Sequence, residues 1–186
     1  MVSLMSLWLP IVLSAVAVFV VSSVIHMFLG YHNNDMRKVP DEGKALAAIR
    51  SLNLPAGDYG MPRAASMKEM GTPEFQAKMK EGPVVMMTVM PSGSTSMGPQ
   101  LTQWFLFTLL VSLFGAYVAS RTLDPGTTYL EVFRVVGTVT FASYGLANVP
   151  ASIWFNRAWG TTLRNVLDAL IYALVTAGVF GWRWPG

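Results

Sequence analysis

The sequence contains no cysteine, and only 12% of its 186 residues are charged. The absence of cysteine excludes disulfide bonds, thiolate metal ligands and thiol nucleophiles within this chain. Apolar residues make up 53% of the sequence and the mean hydropathy is +0.45, which is too apolar for an ordinary soluble domain. The composition therefore predicts an integral membrane protein.

A basic stripe and the common catalytic motifs are also missing. The net charge is +3, but the Lys and Arg residues are dispersed among acidic ones, so we expect no nucleic-acid partner. Nothing resembles a phosphate-binding loop, a dinucleotide fingerprint, H-E-x-x-H or G-x-S-x-G. We therefore expect no enzymatic activity and predict no cofactor, apart from the metal-binding patterns described below.

Long apolar runs are the main feature that the sequence does have. A helix needs about 20 apolar residues to cross a hydrocarbon core of about 30 Å. Four runs qualify: 8–29, 101–120, 129–149 and 163–182. The first has no Lys or Arg before it and no A-x-A cleavage site after it, so we interpret it as a retained helix rather than a signal peptide.

These runs predict an all-α membrane protein, a four-transmembrane-helix bundle in three parts. Residues 1–30 form the first transmembrane helix, 31–100 a largely irregular extramembrane insertion, and 101–186 a three-helix transmembrane part. Within the insertion, Asp41 and Glu42 after Pro40 favour one short helix, and Thr72 with Pro73 favours a second. The segment 84–90 suits either a strand or an interfacial segment.

The distribution of basic residues predicts the orientation. Four crossings place both termini on one side of the membrane and the insertion, with loop 150–162, on the other. Near the helix ends, the insertion side carries Arg37, Lys38, Lys44, Arg157 and Arg164, against Arg121 and Arg183 on the terminal side. Because basic residues mark the cytoplasmic side, we expect the insertion inside the cell and both termini outside.

Small residues recur every four positions in three of the runs. The longest stripe is Ala169, Ala173, Ala177 and Gly181, and shorter ones are Thr108, Ser112 and Ala116, and Ser143 with Ala147. Small side chains allow the close backbone approach by which membrane helices gain van der Waals contact. The stripes predict a compact bundle, and they suit the binding of a partner's helix equally well.

Polar side chains from all four runs are predicted to meet near the insertion side of the bundle. Since the helices alternate in direction, the residues that reach this depth are His26, Gln103, Tyr144, Asn148 and Asp168. Imidazole and carboxylate are the usual pair for binding a metal ion or relaying a proton. The structural alternative is that Asp168 pairs with Arg164, one turn before it, while His26 bonds a neighbour.

Two further patterns contain ionisable residues. Glu131 and Arg134 lie three positions apart near the terminal side, which predicts an intramembrane ion pair. His32 and Asp35 follow the first run with a one-turn spacing. They either contribute metal ligands or belong to a solvated turn in which Asn33 and Asn34 cap the helix.

Methionines are frequent in the insertion. Met67 with Met70, and Met87 with Met90, have the M-x-x-M spacing of soft thioether ligands for Cu(I). Flexible methionine also fills irregular contacts with partner proteins, which is the alternative interpretation.

Two stretches carry a family resemblance: YHNNDMRKVPDE after the first run, and IWFNRAWGTTLRNVLDALIYALVTAGVFGWRWP at the end. In these two stretches the chain resembles a family of small four-helix bacterial inner-membrane proteins to which no activity is assigned. The resemblance implies a bacterial inner-membrane location and transfers no catalytic residue.

Two functions follow from these patterns. The stripes, the weakly apolar insertion and the lack of a catalytic constellation favour a non-catalytic accessory or scaffold subunit of a larger membrane complex. Its partners would be the lipid bilayer and other membrane subunits or copies of itself. The alternative is a small transporter or channel for a proton or metal ion, built on the layer near His26 and Asp168.

Overall fold

A computed structural model describes residues 1–93 and 96–186 and is mostly helical. Within these residues, four helices are long and apolar enough to cross a membrane: Leu4–Phe28, Gly98–Thr122, Tyr129–Phe155 and Trp159–Trp182. They match the four apolar runs and support the prediction of a multi-pass membrane protein.

The elements follow one another in a simple order. A 3-10 turn at Leu4–Leu7 leads into α1 (Trp8–Phe28). Then come α2 (Glu42–Ser51), β1 (Gly57–Met61), α3 (Met67–Met70), α4 (Pro73–Glu81), β2 (Val85–Val89), α5 (Gly98–Thr122), α6 (Tyr129–Gly145), α7 (Val149–Phe155) and α8 (Trp159–Trp182). A 3-10 turn at Leu146–Asn148 joins α6 to α7. Most of the predicted loop 150–162 is therefore helical, because α7 extends the third span and α8 starts early.

The chain divides into two compact units, and the larger one is helical. It comprises Met1–Met36 and Ser96–Gly186, and so includes residues 31–36, which the sequence groups with the insertion. In this unit α1 packs against α5 and α8, and α6 packs against α5 and, most extensively, α8.

Hydrogen bonds tie the two termini to the turn between α5 and α6. The N-terminal amine lies 3.0 Å from a carboxylate oxygen of Asp124, and Trp184 Nε1 donates to the carbonyl of the same residue. The backbone N–H of Gly126 donates to the carbonyl of Pro185 at 2.8 Å. Both termini therefore lie at one end of the helical unit, and the turn after α1 lies at the other.

Small residues bring α6 and α8 together. Ala169, Ala173 and Ala177 are buried. A Cβ at Gly145 would lie 3.2 Å from Cβ of Ala169, and one at Gly137 would lie 3.3 Å from Cβ of Ala177. The stripe on α8 is thus occupied by α6 of the same chain, and Gly181 at its end contacts the ring of Tyr129.

The stripe on α5 lies against α1 and is polar. Ser14 Oγ and Ser112 Oγ form a hydrogen bond at 3.0 Å, and Thr108 Oγ1 lies 3.4 Å from the carbonyl of Ala15. Thr108, Ser112 and Ala116 are fully buried. The opposite face of α1 carries exposed valines every four residues, which suits contact with lipid: Val12, Val16, Val20 and Val24.

The smaller unit, Arg37–Thr95, contains both predicted short helices and a two-stranded antiparallel sheet. Asp41 caps α2 by accepting from the backbone N–H of Lys44, and Thr72 caps α4 by accepting from that of Phe75. Segment 84–90 contains β2, which pairs with β1 so that Met87 is opposite Tyr59. Among the described residues of this unit, Phe75 is the buried apolar side chain.

Candidate functional site

Asp168 occupies the centre of a polar cluster in the helical unit. It lies on α8, and its side chain is only 5% exposed. The Tyr31 hydroxyl donates a hydrogen bond to Asp168 Oδ1, and Nε2 of His32 lies 2.9 Å from Oδ2. A buried carboxylate is stable only with such partners, because burial removes its hydration.

Asp35 holds His32 from the other side. Its Oδ2 lies 2.6 Å from His32 Nδ1, while Arg164 donates to its Oδ1, from Nε at 2.7 Å and also from Nη2. The predicted pairing of Arg164 with Asp168 is therefore replaced by a pairing with Asp35. The side chains of His32 and Asp35 are only 14% and 16% exposed, so the segment is not a solvated turn.

The turn follows directly on the end of α1. The helix ends at Phe28 with Leu29 as its C-cap, and Gly30 follows with a φ of +65°, a left-handed conformation that favours glycine. Neither Asn33 nor Asn34 is the capping residue, contrary to the interpretation from sequence. The chain then makes two tight turns. In the first, the backbone N–H of Asn33 donates to the carbonyl of Gly30, and in the second that of Asp35 donates to the carbonyl of His32. These turns direct Tyr31 and His32 towards α8.

The surroundings shift the pKa of two groups in this turn. Burial raises the pKa of the Asp35 carboxyl, but hydrogen bonds from His32 and Arg164 outweigh it, so the pKa lies below its ordinary value of 3.8. Burial, and then the hydrogen bond to Asp168, raise the pKa of the Tyr31 phenol. Asp35 is thus held as an anion and Tyr31 as a neutral donor.

His26 completes the cluster from the last turn of α1. Its Nε2 lies 3.8 Å from Asp168 Oδ2, and its ring centroid lies 4.6 Å from that of His32. One ligand atom from each of His26, His32 and Asp168 lies within 4.8 Å of the other two. The His26 side chain is 52% exposed, so this edge of the cluster is accessible. We call His26, Tyr31, His32, Asp35, Arg164 and Asp168 the His–Asp cluster.

A cleft of about 330 Å³ borders His26 and Asp168. The rings of Tyr144 and Tyr172 form part of its wall and pack edge to face, with centroids 5.5 Å apart. Both hydroxyls are buried and have no hydrogen-bond partner within residues 1–93 and 96–186. A buried hydroxyl without a partner is costly, so these two side chains leave unused hydrogen-bonding capacity inside the wall of the cleft.

The structure brings together most of the predicted polar layer. His26, Tyr144, Asn148 and Asp168 all line the cleft, and Asn165 Nδ2 donates to Asn148 Oδ1. Gln103 is instead exposed and does not line the cleft. Its neighbour Trp104 does, and it donates from Nε1 to Ser22 Oγ at 2.9 Å. One position along a helix turns the side chain by about 100°, which accounts for the difference.

The other candidate patterns lie apart from the cluster. Glu131 accepts from the N–H and the hydroxyl of Thr128, forming a capping box at the start of α6. It forms no ion pair with Arg134 in the part of the chain that the structure describes, because its carboxylate is used by the helix end.

The structure places the two methionine pairs in different elements of the smaller unit. Met67 and Met70 are exposed on the single turn of α3. Met87 is in β2 and Met90 directly follows it. Since side chains alternate along an extended strand, residues three apart point to opposite faces, which does not suit a common copper ion.

Comparison with protein-family models, with curated proteins and with solved structures finds no match to this chain.

Proposed function

We propose that this chain is a four-transmembrane-helix bundle of a bacterial inner membrane and acts as a non-catalytic accessory or scaffold subunit of a larger membrane complex. In this arrangement residues 31–100 are cytoplasmic and both termini are outside. The basic residues that flank the spans support the orientation.

The exposed apolar face of α2 carries this proposal. Leu46 and Ile49 are 50% and 41% exposed, and Leu52 at the end of the helix is similarly exposed. No residue of α2 is buried. Full burial of such a side chain contributes about 1.5–3 kcal/mol, so this face would contribute substantially to binding another subunit.

The interior of the helical unit also favours a scaffold over a channel. Hydroxyls of Ser14, Ser22 and Thr140 donate to backbone carbonyls of their own helices. Among the described residues, Asp168 is the buried acidic or basic side chain, and it lies towards one end of the unit. These three hydroxyls thus each have a backbone acceptor in their own helix, which supports a packed interior around them.

The test is extraction of the native membrane in mild detergent, followed by a native gel and purification through a tag on this chain. We expect other membrane subunits to co-purify at fixed stoichiometry. Leu46→Gln combined with Ile49→Gln should release them, whereas Ala47→Gln with Ser51→Gln, on the opposite face of α2, should not. Recovery of wild-type protein as a lone monomer or homo-oligomer would contradict the proposal.

A second candidate, a small transporter for a proton or metal ion, is favoured by the buried Asp168 beside two histidines. It is tested in sealed proteoliposomes by measuring proton and Zn²⁺ flux. A flux that Asp168→Asn abolishes would favour transport, and a flux no greater than that of empty liposomes would exclude it.

A further inference from the structure

We propose that His26, His32 and Asp168 bind one divalent transition-metal ion, with a further coordination position open to the cleft lined by Tyr144 and Tyr172. This site does not depend on either role proposed above, since a resident metal ion is compatible with a subunit and with a transporter.

The distances suit a metal ion of this class. Ligand bonds of about 2.0–2.1 Å in a tetrahedral site place neighbouring ligand atoms about 3.3 Å apart. Asp168 Oδ2 lies 2.9 Å from His32 Nε2 and 3.8 Å from His26 Nε2, which are values on either side of that separation. The ligand atoms of the two histidines lie within 4.8 Å of each other, so side-chain rotations have to bring them closer to enclose an ion. Two imidazoles and one carboxylate favour zinc, cobalt or ferrous iron over calcium or magnesium, which take oxygen ligands.

The hydrogen bonds of His32 give a second, independent argument. Both of its ring nitrogens face carboxylate oxygens, at 2.6 Å and 2.9 Å. A neutral imidazole has one N–H, so one of these contacts needs either an additional proton or a cation between nitrogen and oxygen. A metal ion bound by His32 Nε2 and Asp168 Oδ2 resolves this mismatch, because Nδ1–H is then free to donate to Asp35.

The remaining residues of the cluster act as positioning residues. A metal-bound histidine usually donates its other N–H to a carboxylate, which fixes the ring and its tautomer. Asp35 is the carboxylate that lies against His32 Nδ1, and a hydrogen bond from Arg164 holds it there. Tyr31 donates to Asp168 Oδ1, which leaves Oδ2 as the single ligand atom. This arrangement directs three ligand atoms to one point. The cleft borders His26 and Asp168, and so leaves that side of the site open.

The experiment uses the full chain in detergent, purified through a tag without histidine and treated with a chelator. Titration with Zn²⁺ should show one site per chain. His26→Gln, at a half-exposed position where folding is expected to survive, should weaken binding by at least about 10-fold, and Asp35→Asn by about 10–100-fold. Asp124→Asn, at the other end of the helical unit, is the matched control and should bind as the wild type does.

Co²⁺ then reports on the open position. We expect visible absorption typical of nitrogen and oxygen ligands, and a spectral change when azide is added. The proposal is overturned if wild-type protein binds no stoichiometric Zn²⁺, or if His26→Gln and Asp124→Asn bind it equally. A Co²⁺ spectrum that azide leaves unchanged would overturn the open coordination position.

Discussion

The imidazole of His32 lies 2.9 Å from the carboxylate of Asp168, although 136 positions separate the two residues in the chain. This contact joins the turn after α1 to the first half of α8. It makes a short polar segment at the end of α1 part of a buried site.

Asp35 should make the stability of the protein sensitive to acid. Its pKa in the folded chain lies below the ordinary value of 3.8, so the unfolded chain takes up protons first as the pH falls. The contribution of Asp35 is therefore complete above about pH 5 and is lost as the pH falls through 3.8 towards the lower folded value. Asp35→Asn should reduce stability at neutral pH and flatten the profile in this window, as measured by thermal unfolding in detergent from pH 7 to 3.

The matched control for this experiment is Asp124→Asn, since Asp124 is exposed and lies outside the cluster. It should keep the acid profile of the wild type. An unchanged profile in Asp35→Asn would mean that the pairing with His32 and Arg164 contributes nothing to folding.

Gly181 should tolerate no side chain. A Cβ at this position would lie 2.7 Å from two ring carbons of Tyr129 and 3.2 Å from Cγ at the base of the ring, so the half-exposed ring would have to leave its contact with α8. Gly181→Ala should therefore lower the free energy of unfolding by about 1–3 kcal/mol. Gly178→Ala is the control: its Cβ would lie 3.6 Å from the Tyr129 hydroxyl, so alanine should be neutral or gain up to about 1 kcal/mol from helix propensity. Equal effects of the two substitutions would contradict this packing of α6 on α8.

The bond between Ser14 and Ser112 should couple α1 to α5 only weakly. Hydrogen bonds between membrane helices contribute about 0.6 kcal/mol on average and rarely more than about 2 kcal/mol. A double-mutant cycle with Ser14→Ala and Ser112→Ala, measured by unfolding in mixed micelles, should give a coupling energy in this range. A coupling of zero would indicate that the two hydroxyls do not meet.

The orientation can be measured directly because the chain has no cysteine of its own. Single cysteines at Ser51 in α2 and at Thr127 between α5 and α6 should lie on opposite sides of the membrane. In intact spheroplasts, an impermeant maleimide should label Thr127→Cys, and Ser51→Cys only after permeabilisation. The reverse pattern would invert the orientation, and labelling of both from outside would contradict four crossings.

The four spans and the starts of α2 and α4 could be predicted from sequence because they depend on local properties. Hydropathy over about 20 residues marks a span whatever it packs against, and Asp41 and Thr72 cap their helices through bonds within three residues. The approach of His26, Asn148 and Asp168 to one cleft could also be predicted, since it follows from counting along helices that alternate in direction.

The partners of Asp168 depend on the tertiary structure, and so the sequence does not specify them. A left-handed Gly30 directs Tyr31 and His32 back to α8, and Arg164 bonds Asp35 rather than the residue one turn along its own helix. The rotation of α5, which places Trp104 rather than Gln103 in the cleft, depends on packing against α1 and α6. Gly30 directly after a long apolar run was the one available signal for the turn.

The contact between His32 and Asp168 is tested most directly by a double-mutant cycle on the free energy of unfolding. Each of His32→Ala and Asp168→Asn should cost about 1–3 kcal/mol, because each leaves a buried polar group without its partner. The double variant should lose less than the sum of the two, with a coupling of about 1 kcal/mol or more. Losses that add to within about 0.5 kcal/mol would contradict the contact, and with it the assembly of the cluster around Asp168.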